Sequence, residues 1–524
     1  MMFNGRKLPV GIQDFEDLRT TGYLYVDKTA YIYRLVTTGK PYFLARPRRF
    51  GKSLLLSTLK AYFLGKKELF EGLAIAGLEK QWVEHPVFHI DMNVEAYLNL
   101  GSLYSALNSN LNELETKWGK DAGEETPAGR FRSLIRRACE QTGRKVVVLI
   151  DEYDKPLLGS AGDLTDMNDE IRNVLKGFYG VLKSSDAFLR FVFLTGVSKF
   201  SKVSIFSDLN HLMDISLDEN YAGICGISEI ELTGFFEPEI NSLAVKLGKT
   251  YDETFGELKK RYDGYHFARK SEGMYNPFSL LNTFAARELR NYWFATGTPI
   301  FLTRMLKNLD FNVKSLENDV RIPSFAISEY RVGSDDPTPL LYQTGYLTIK
   351  DYDEFFDEYI LGFPNEEVKY GFLYELLPAY MPKTNVMGGD FHIGNFIRDL
   401  QAGNVESFMT RLKAFFAGIP YELNNKEEKH YQTVFYLLFK LMGQFVEVEP
   451  RSAIGRADAV VITADTVYAF EFKLTGNGTA EDALKQIDDK GYLIPFTAGN
   501  KKLVKIGAEF STTERGLSRW VVGN

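Results

Sequence analysis

The chain has 524 residues, 45% hydrophobic and 25% charged, with a formal net charge of −7 and only two cysteines, Cys139 and Cys225. That is too long for one hydrophobic core and ordinary in composition, and it gives no global basic field to draw the protein to nucleic acid, so such binding must come from local patches. Two cysteines without paired spacing argue against a disulfide framework or thiolate metal site. With no signal-peptide pattern and no apolar run near the roughly 20 residues of a membrane span, the expectation is a cytoplasmic protein without a membrane partner.

Up to Phe236, short apolar runs alternate with helix-like stretches: Tyr42 to Ala45, Val87 to Met92, Val146 to Glu152 and Phe191 to Gly196. Runs of this length separated by helices predict an α/β domain over 1–236, with a parallel sheet buried on both faces. Residues 237–352 read as a mainly helical, aromatic, winged-helix-like segment, with Leu341 to Tyr352 as a strand pair or wing. The acidic, aromatic stretch opening 353–390 reads as a connector. Residues 391–524 read as a small, separate α/β domain of two long amphipathic helices followed by strands.

The first chemical signal lies where the first strand meets a helix, in YFLARPRRFGKSLLLSTLKAYF. Gly51, Lys52 and Ser53 open that helix, which is the setting a phosphate-binding loop (P-loop, Walker A) requires. Main-chain N–H groups hold phosphate oxygens, the lysine reaches the outer phosphates, and the serine hydroxyl joins the Mg²⁺ shell. The glycine that usually opens this motif is Arg46 here, followed by Pro47, Arg48 and Arg49, so Arg46 and Arg49 are expected to hold phosphate through their side chains. A GKS that merely opens a surface helix is the plainer reading.

The strand Val146 to Ile150 ends in Asp151-Glu152, about 100 residues further on, and that pairing favours the functional reading. In this Walker B pattern the aspartate supports Mg²⁺ and the glutamate activates the attacking water. Thr195, ending the next strand, is a weak candidate for a γ-phosphate sensor. Arg172, Arg190 and the loop arginines are candidates for an arginine acting on a neighbour's site. ATP and Mg²⁺ are the expected cofactors.

The second chemical signal is GRADAVVITADTVYAFEFKL, Gly455 to Leu474. Two alternating runs flank Ala464-Asp465, predicting a hairpin in which Asp458 faces Glu471 and Lys473 projects from the same face as Glu471. Cross-strand carboxylates repel unless a positive charge lies between them. Mg²⁺ or Mn²⁺ supplies it and activates water for phosphodiester cleavage, with Lys473 beside that water. A surface salt-bridge ladder is the alternative for an isolated hairpin. Among the histidines, His85 and His89 flank a strand, where their spacing makes no helical metal pair.

The α-β-β-β-α-β order around this hairpin resembles the PD-(D/E)XK nuclease core. Asp458 and Glu471-Phe472-Lys473 match its D…ExK signature, with Ala457 in place of the usual proline. By the same resemblance Glu428 stands for the helical acid of the metal site, and Gln486 for a polar residue of the active site. The N-terminal part resembles a bacterial and archaeal family described as AAA-ATPase-like, through LPVGIQDFEDLRTTGYLYVDKT, RPRRFGKSLLLSTL, VVVLIDEYDKP, FLTGVSKFSKVSIFSDLN, YDGYHF, YNPFSLLN and LLYQTGYLTI. An arginine at the first P-loop position is normal for that family. The combined resemblance implies a P-loop ATPase of the additional-strand type coupled to a metal-dependent nuclease-like domain acting on nucleic acid. An ATP-dependent or signalling switch, whose nuclease-like domain only binds nucleic acid or a protein, is the alternative. A homo-oligomer or protein partner stays open, because many such ATPases complete their site with a neighbour's arginine.

Overall fold

The apolar runs of the N-terminal part assemble into one sheet. The computed structural model describes residues 2–3, 6–93, 97–159, 165–199, 212–294, 306, 316, 320–328, 336–380, 393–417, 428–443, 447–449, 458–511 and 516–523. Strands β1 (Pro41–Ala45), β2 (Val87–Asp91), β3 (Val146–Asp151), β4 (Leu189–Gly196) and β5 (Met213–Asp214) pair in the order β2-β3-β4-β1-β5, all parallel. β4 thus inserts between β1 and β3, which is the additional-strand arrangement. Helix α1 (Lys52–Phe63) and the later helix α3 (Pro127–Thr142) both pack on β3, while α2 (Leu100–Trp118) packs on α3. Val146 to Ile150 are fully buried. Each such side chain contributes roughly 1.5–3 kcal/mol, so the strand's end is a rigid platform.

The chain divides into two compact units, Met1–Phe301 with Ser315–Lys369, and Leu302–Lys314 with Tyr370–Asn524. The helical middle segment therefore belongs to the same unit as the parallel sheet. Its helices α5 (Glu229–Leu247), α6 (Tyr251–Tyr262) and α7 (Pro277–Ala286), which follow α4 (Thr165–Ser184), share a core containing Leu232, Phe236, Leu258 and Phe284. Capping boxes at Ser228 with Glu231 and Thr250 with Glu253 set the starts of α5 and α6.

β6 (Val320–Pro323), β7 (Thr348–Asp353) and β8 (Glu358–Gly362) form an antiparallel sheet in the order β6-β8-β7. Two expectations are corrected here. Leu341 to Gln343 end a short helix rather than a first strand, and β7 pairs with a strand from the stretch read as a connector. Tyr359 and Leu361 alternate onto a buried face, whereas Phe355 and Phe356 stand exposed in the intervening turn and disguise that alternation.

The division between the units falls within α8 (Glu366–Tyr380). Among the described residues from Phe391 onward, three helices precede the strands where two were expected, α9 (Ile393–Gln401), α10 (Val405–Ala417) and α11 (Glu428–Met442). Strands β9 (Glu447–Glu449), β10 (Ala459–Ile462), β11 (Thr466–Leu474), β12 (Lys502–Ser511) and β13 (Gly516–Gly523) form a sheet in sequence order. Only the β11–β12 pairing is parallel, and α12 (Ala480–Asp489) makes the crossover. Among the described residues no helix is long and apolar enough to cross a membrane.

Gly507 of β12 lies directly beneath α12. A Cβ there would stand 2.2 Å from the Ala480 carbonyl oxygen and 2.5 Å from the Leu484 nitrogen. Both are main-chain atoms that cannot rotate away. Gly507→Ala should therefore destabilise the C-terminal unit by about 1–3 kcal/mol. Denaturant unfolding followed by far-ultraviolet circular dichroism checks this, and an unchanged midpoint would contradict the close packing of α12 on β12.

Candidate functional site

In the first unit the loop between β1 and α1 is reversed by two left-handed residues, Arg49 at φ 68° and Gly51 at φ 93°. Gly51 precedes the first helical residue, Lys52, so the free N–H groups of α1 open toward the loop. Lys52 is 4% exposed, and its Nζ donates to the carbonyls of Arg46 (3.1 Å) and Pro47 (3.3 Å). It also pairs with Glu152 at 3.3 Å. Ser53 donates from Oγ to Asp151 Oδ2 at 2.6 Å, and Thr195 donates from Oγ1 to Asp151 Oδ1 at 2.6 Å. Asp151 thus joins α1, β3 and β4 at one point. Thr195 is fully buried, so it orients Asp151 rather than facing the cavity.

A cavity of about 430 Å³ opens over this cluster, and its walls include Arg48, Arg49, Lys52, Ser53, Glu152 and Lys155. Cationic side chains and a helix N-terminus together suit a polyphosphate. Arg49 reaches the wall with its guanidinium 4.8 Å over the Phe278 ring. Arg46 does not reach it, which corrects the expectation for that residue. Its side chain is 1% exposed, donates to the carbonyls of Ala45, Ser216 and Tyr221, and lies 4.1 Å over Phe267. Those acceptors hold the two terminal nitrogens of the guanidinium inside the fold while Nε is left without a hydrogen-bond partner, and Arg48 takes the place expected for it at the cavity.

Neither Arg172 nor Arg190 faces this cavity by the contacts observed. Arg172 pairs with Asp169, and Arg190 lies at the opposite end of β4 from Thr195, bonded to the Val36 carbonyl. Asp154, given no role from the sequence, is fully buried and accepts from the Val197 and Ser198 amides and the Ser198 hydroxyl. Burial, followed by the Glu152 charge, pushes its carboxyl upward. It ties the turn after β3 to the end of β4. The signal was a carboxylate three residues past Asp151 in VVVLIDEYDKP.

In the second unit the hairpin register is Ala459↔Phe470, Val460↔Ala469, Val461↔Tyr468 and Ile462↔Val467. Continued by one residue, it sets Asp458 opposite Glu471. Asp458 Oδ2 accepts from the Phe472 amide at 2.8 Å, which pins the carboxylate across the strands. Gln486 of α12 bridges the remaining pair, accepting from Lys473 Nζ and donating to Glu471 Oε1. Lys473 Nζ lies 3.9 Å from Glu471. Glu471 is 4% exposed, and its second oxygen, Oε2, is buried without a hydrogen-bond partner. Burial first, and Asp458 second, push its carboxyl up to about 8, opposed by Lys473.

An orphaned carboxylate oxygen beside a second acid fits a hard divalent cation. Asp458 and Glu471 are the residues suited to hold one, completed by main-chain oxygen or water. Among the described residues no group of three or more His, Cys, Asp or Glu side chains converges on a metal position. The Glu428 side chain and Ala457 lie outside the described residues.

Part of each unit matches a family of known domains. A model of predicted AAA-ATPases matches residues 9–206, and one of the PD-(D/E)XK nuclease superfamily matches residues 426–520. The chain belongs to the AAA-ATPase-like proteins that carry a C-terminal PD-(D/E)XK nuclease-superfamily domain. One full-length relative is the "Uncharacterized protein in vnfD 5'region" of Azotobacter chroococcum mcd 1, 38% identical over 526 residues and covering 99% of each chain.

The raised Glu471 value has a definite sign. A carboxyl moved from its ordinary 4.5 up to about 8 stays protonated in the folded unit while the unfolded chain ionises. Metal-free wild type therefore loses stability as pH rises through that window, and the loss levels off above it. Glu471→Gln should abolish this contribution, leaving the variant more stable than wild type at pH 8 and nearly equal at pH 4.5. Thermal unfolding with a chelator present measures both slopes, and parallel slopes would refute the assignment.

Proposed function

We propose that the protein is an ATPase whose nucleotide cycle gates metal-dependent phosphodiester cleavage of nucleic acid by the C-terminal domain. The observation that carries this reading is the joint assembly of Asp458, Glu471, Lys473 and Gln486 around one buried carboxylate. In the first unit, Lys52 and Arg49 bind the phosphates of ATP. Ser53 and Asp151 hold its Mg²⁺, with Asp151 oriented by Thr195. Glu152 stands at the cavity wall to take the proton of the attacking water.

In the second unit, Asp458 and Glu471 hold Mg²⁺ or Mn²⁺, with Glu428 as a further ligand from α11. The ion supplies water activation and charge neutralisation at the scissile phosphate. Gln486 holds Lys473 beside Glu471, so the ammonium is available to the nucleophilic water or the developing charge. Nucleic acid is the proposed partner, gripped by local basic groups since the chain as a whole is acidic, at −7. The reading places the protein in the cytoplasm, where ATP and Mg²⁺ are both at hand.

Labelled single- and double-stranded DNA and RNA, incubated with Mn²⁺ or Mg²⁺ and with or without ATP, test the reading. Asp458→Ala should lower cleavage at least a hundredfold, on the order of what losing one preorganised electrostatic group costs. Lys52→Ala should leave cleavage indifferent to ATP. Intact ATP turnover with no cleavage of any substrate would favour a nucleotide switch whose nuclease-like domain only binds.

A further inference from the structure

The aromatic segments of the middle helices hold the phosphate loop from outside the sheet. Besides Arg46 and Arg49, whose ring contacts are described above, Pro47, Arg48 and Phe50 also meet this segment. Pro47 abuts Gly345 so closely that a Cβ on the glycine would lie 2.7 Å from the Pro47 Cβ. Gly345 takes a φ of 88°, which only glycine adopts without strain. Phe50 meets Tyr265 edge-on at 4.7 Å. The Arg48 carbonyl accepts from the Trp293 indole Nε1 at 3.2 Å.

One buried carboxyl organises two of these contacts. Glu367, 2% exposed, accepts from the Trp293 main-chain N–H at 2.8 Å and from the Ser279 hydroxyl at 2.7 Å. Ser279 sits in the first turn of α7 beside Phe278, the ring beneath Arg49. The same carboxyl therefore fixes both the tryptophan that grips the Arg48 carbonyl and the helix that stacks under the Arg49 guanidinium. A loop lacking its opening glycine is given its path by neighbours far along the chain.

We infer that Glu367 and Trp293 are positioning residues for the phosphate loop: by fixing the Arg48 carbonyl and the Phe278 ring, they set the affinity for nucleotide and make the middle segment sense its binding. This rests on the reading of the loop as an ATP site. Neither residue lines the cavity, so both act through the loop.

The test measures ATP affinity, KM and kcat of the full chain for wild type, Trp293→Phe and Glu367→Gln. Trp293→Phe keeps an aromatic side chain beside Tyr346 while removing the N–H donor together with part of the bicyclic ring. It should raise Kd and KM for ATP about three- to tenfold, the range for one lost neutral hydrogen bond, while kcat stays within about twofold. Glu367→Gln should give the same split. Tryptophan emission should change on adding ATP to wild type, and that change should vanish in Trp293→Phe although ATP still binds.

Unchanged Kd and KM in both variants, or an emission change that survives in Trp293→Phe, overturns the inference. A kcat that falls with unchanged KM overturns it equally. Wild type that binds no ATP overturns the underlying ATP reading instead, and Lys52→Ala, expected to lose binding outright, separates the two failures.

Discussion

Asp151 is the point on which the first unit depends. Its two carboxylate oxygens are taken by hydroxyls from different elements, Ser53 on α1 and Thr195 on β4. A buried carboxylate left unpaired costs several kcal/mol, so these donors also hold three elements in register. The strand that carries it is apolar along its whole length, which is why the carboxylate is presented at a fixed height at the strand's end. Asp154 repeats the device one turn later, binding the main chain after β4. The phosphate loop, the acid pair and the end of β4 are thus one hydrogen-bonded assembly.

The second unit uses the same material to a different end. Glu471 also sits on a buried strand, but its partners satisfy one oxygen and leave the other bare. Burial, with the Asp458 charge behind it and Lys473 only partly opposing, lifts its carboxyl to about 8. The first site has both oxygens of its aspartate hydrogen-bonded and a cavity walled mainly by cations, Arg48, Arg49, Lys52 and Lys155. In the second, Glu471 keeps one bare oxygen although Gln486 holds Lys473 beside it. That contrast supports the proposal of phosphate binding in one unit and cation-dependent chemistry in the other.

Much of this was legible in the residues because local pattern dictates it. The run VVVLI followed by two acids has no alternative but a buried strand with its acids at an end. The alternation on either side of Ala464-Asp465 sets the hairpin register, and the pairing of Ala459 with Phe470 follows the predicted one. What was not legible depends on residues distant in sequence. Arg46 was expected at phosphate, but the carbonyls of Ser216 and Tyr221 claim it. The contacts of Trp293 and Glu367 are ones that no local spacing announces. β8 was hidden by exposed aromatics at its turn, and β13 went unread altogether.

The central claim is that one chain builds two separate divalent-cation sites, one completed by ATP and one by its own carboxylates. Counting bound Mn²⁺ on the full chain at equilibrium, with and without ATP, tests it most directly. The account predicts one class of ions bound without nucleotide and lost in Glu471→Gln, and another that appears only with ATP and is lost in Asp151→Asn. Absence of any nucleotide-independent Mn²⁺, or loss of both classes on either substitution, would contradict it.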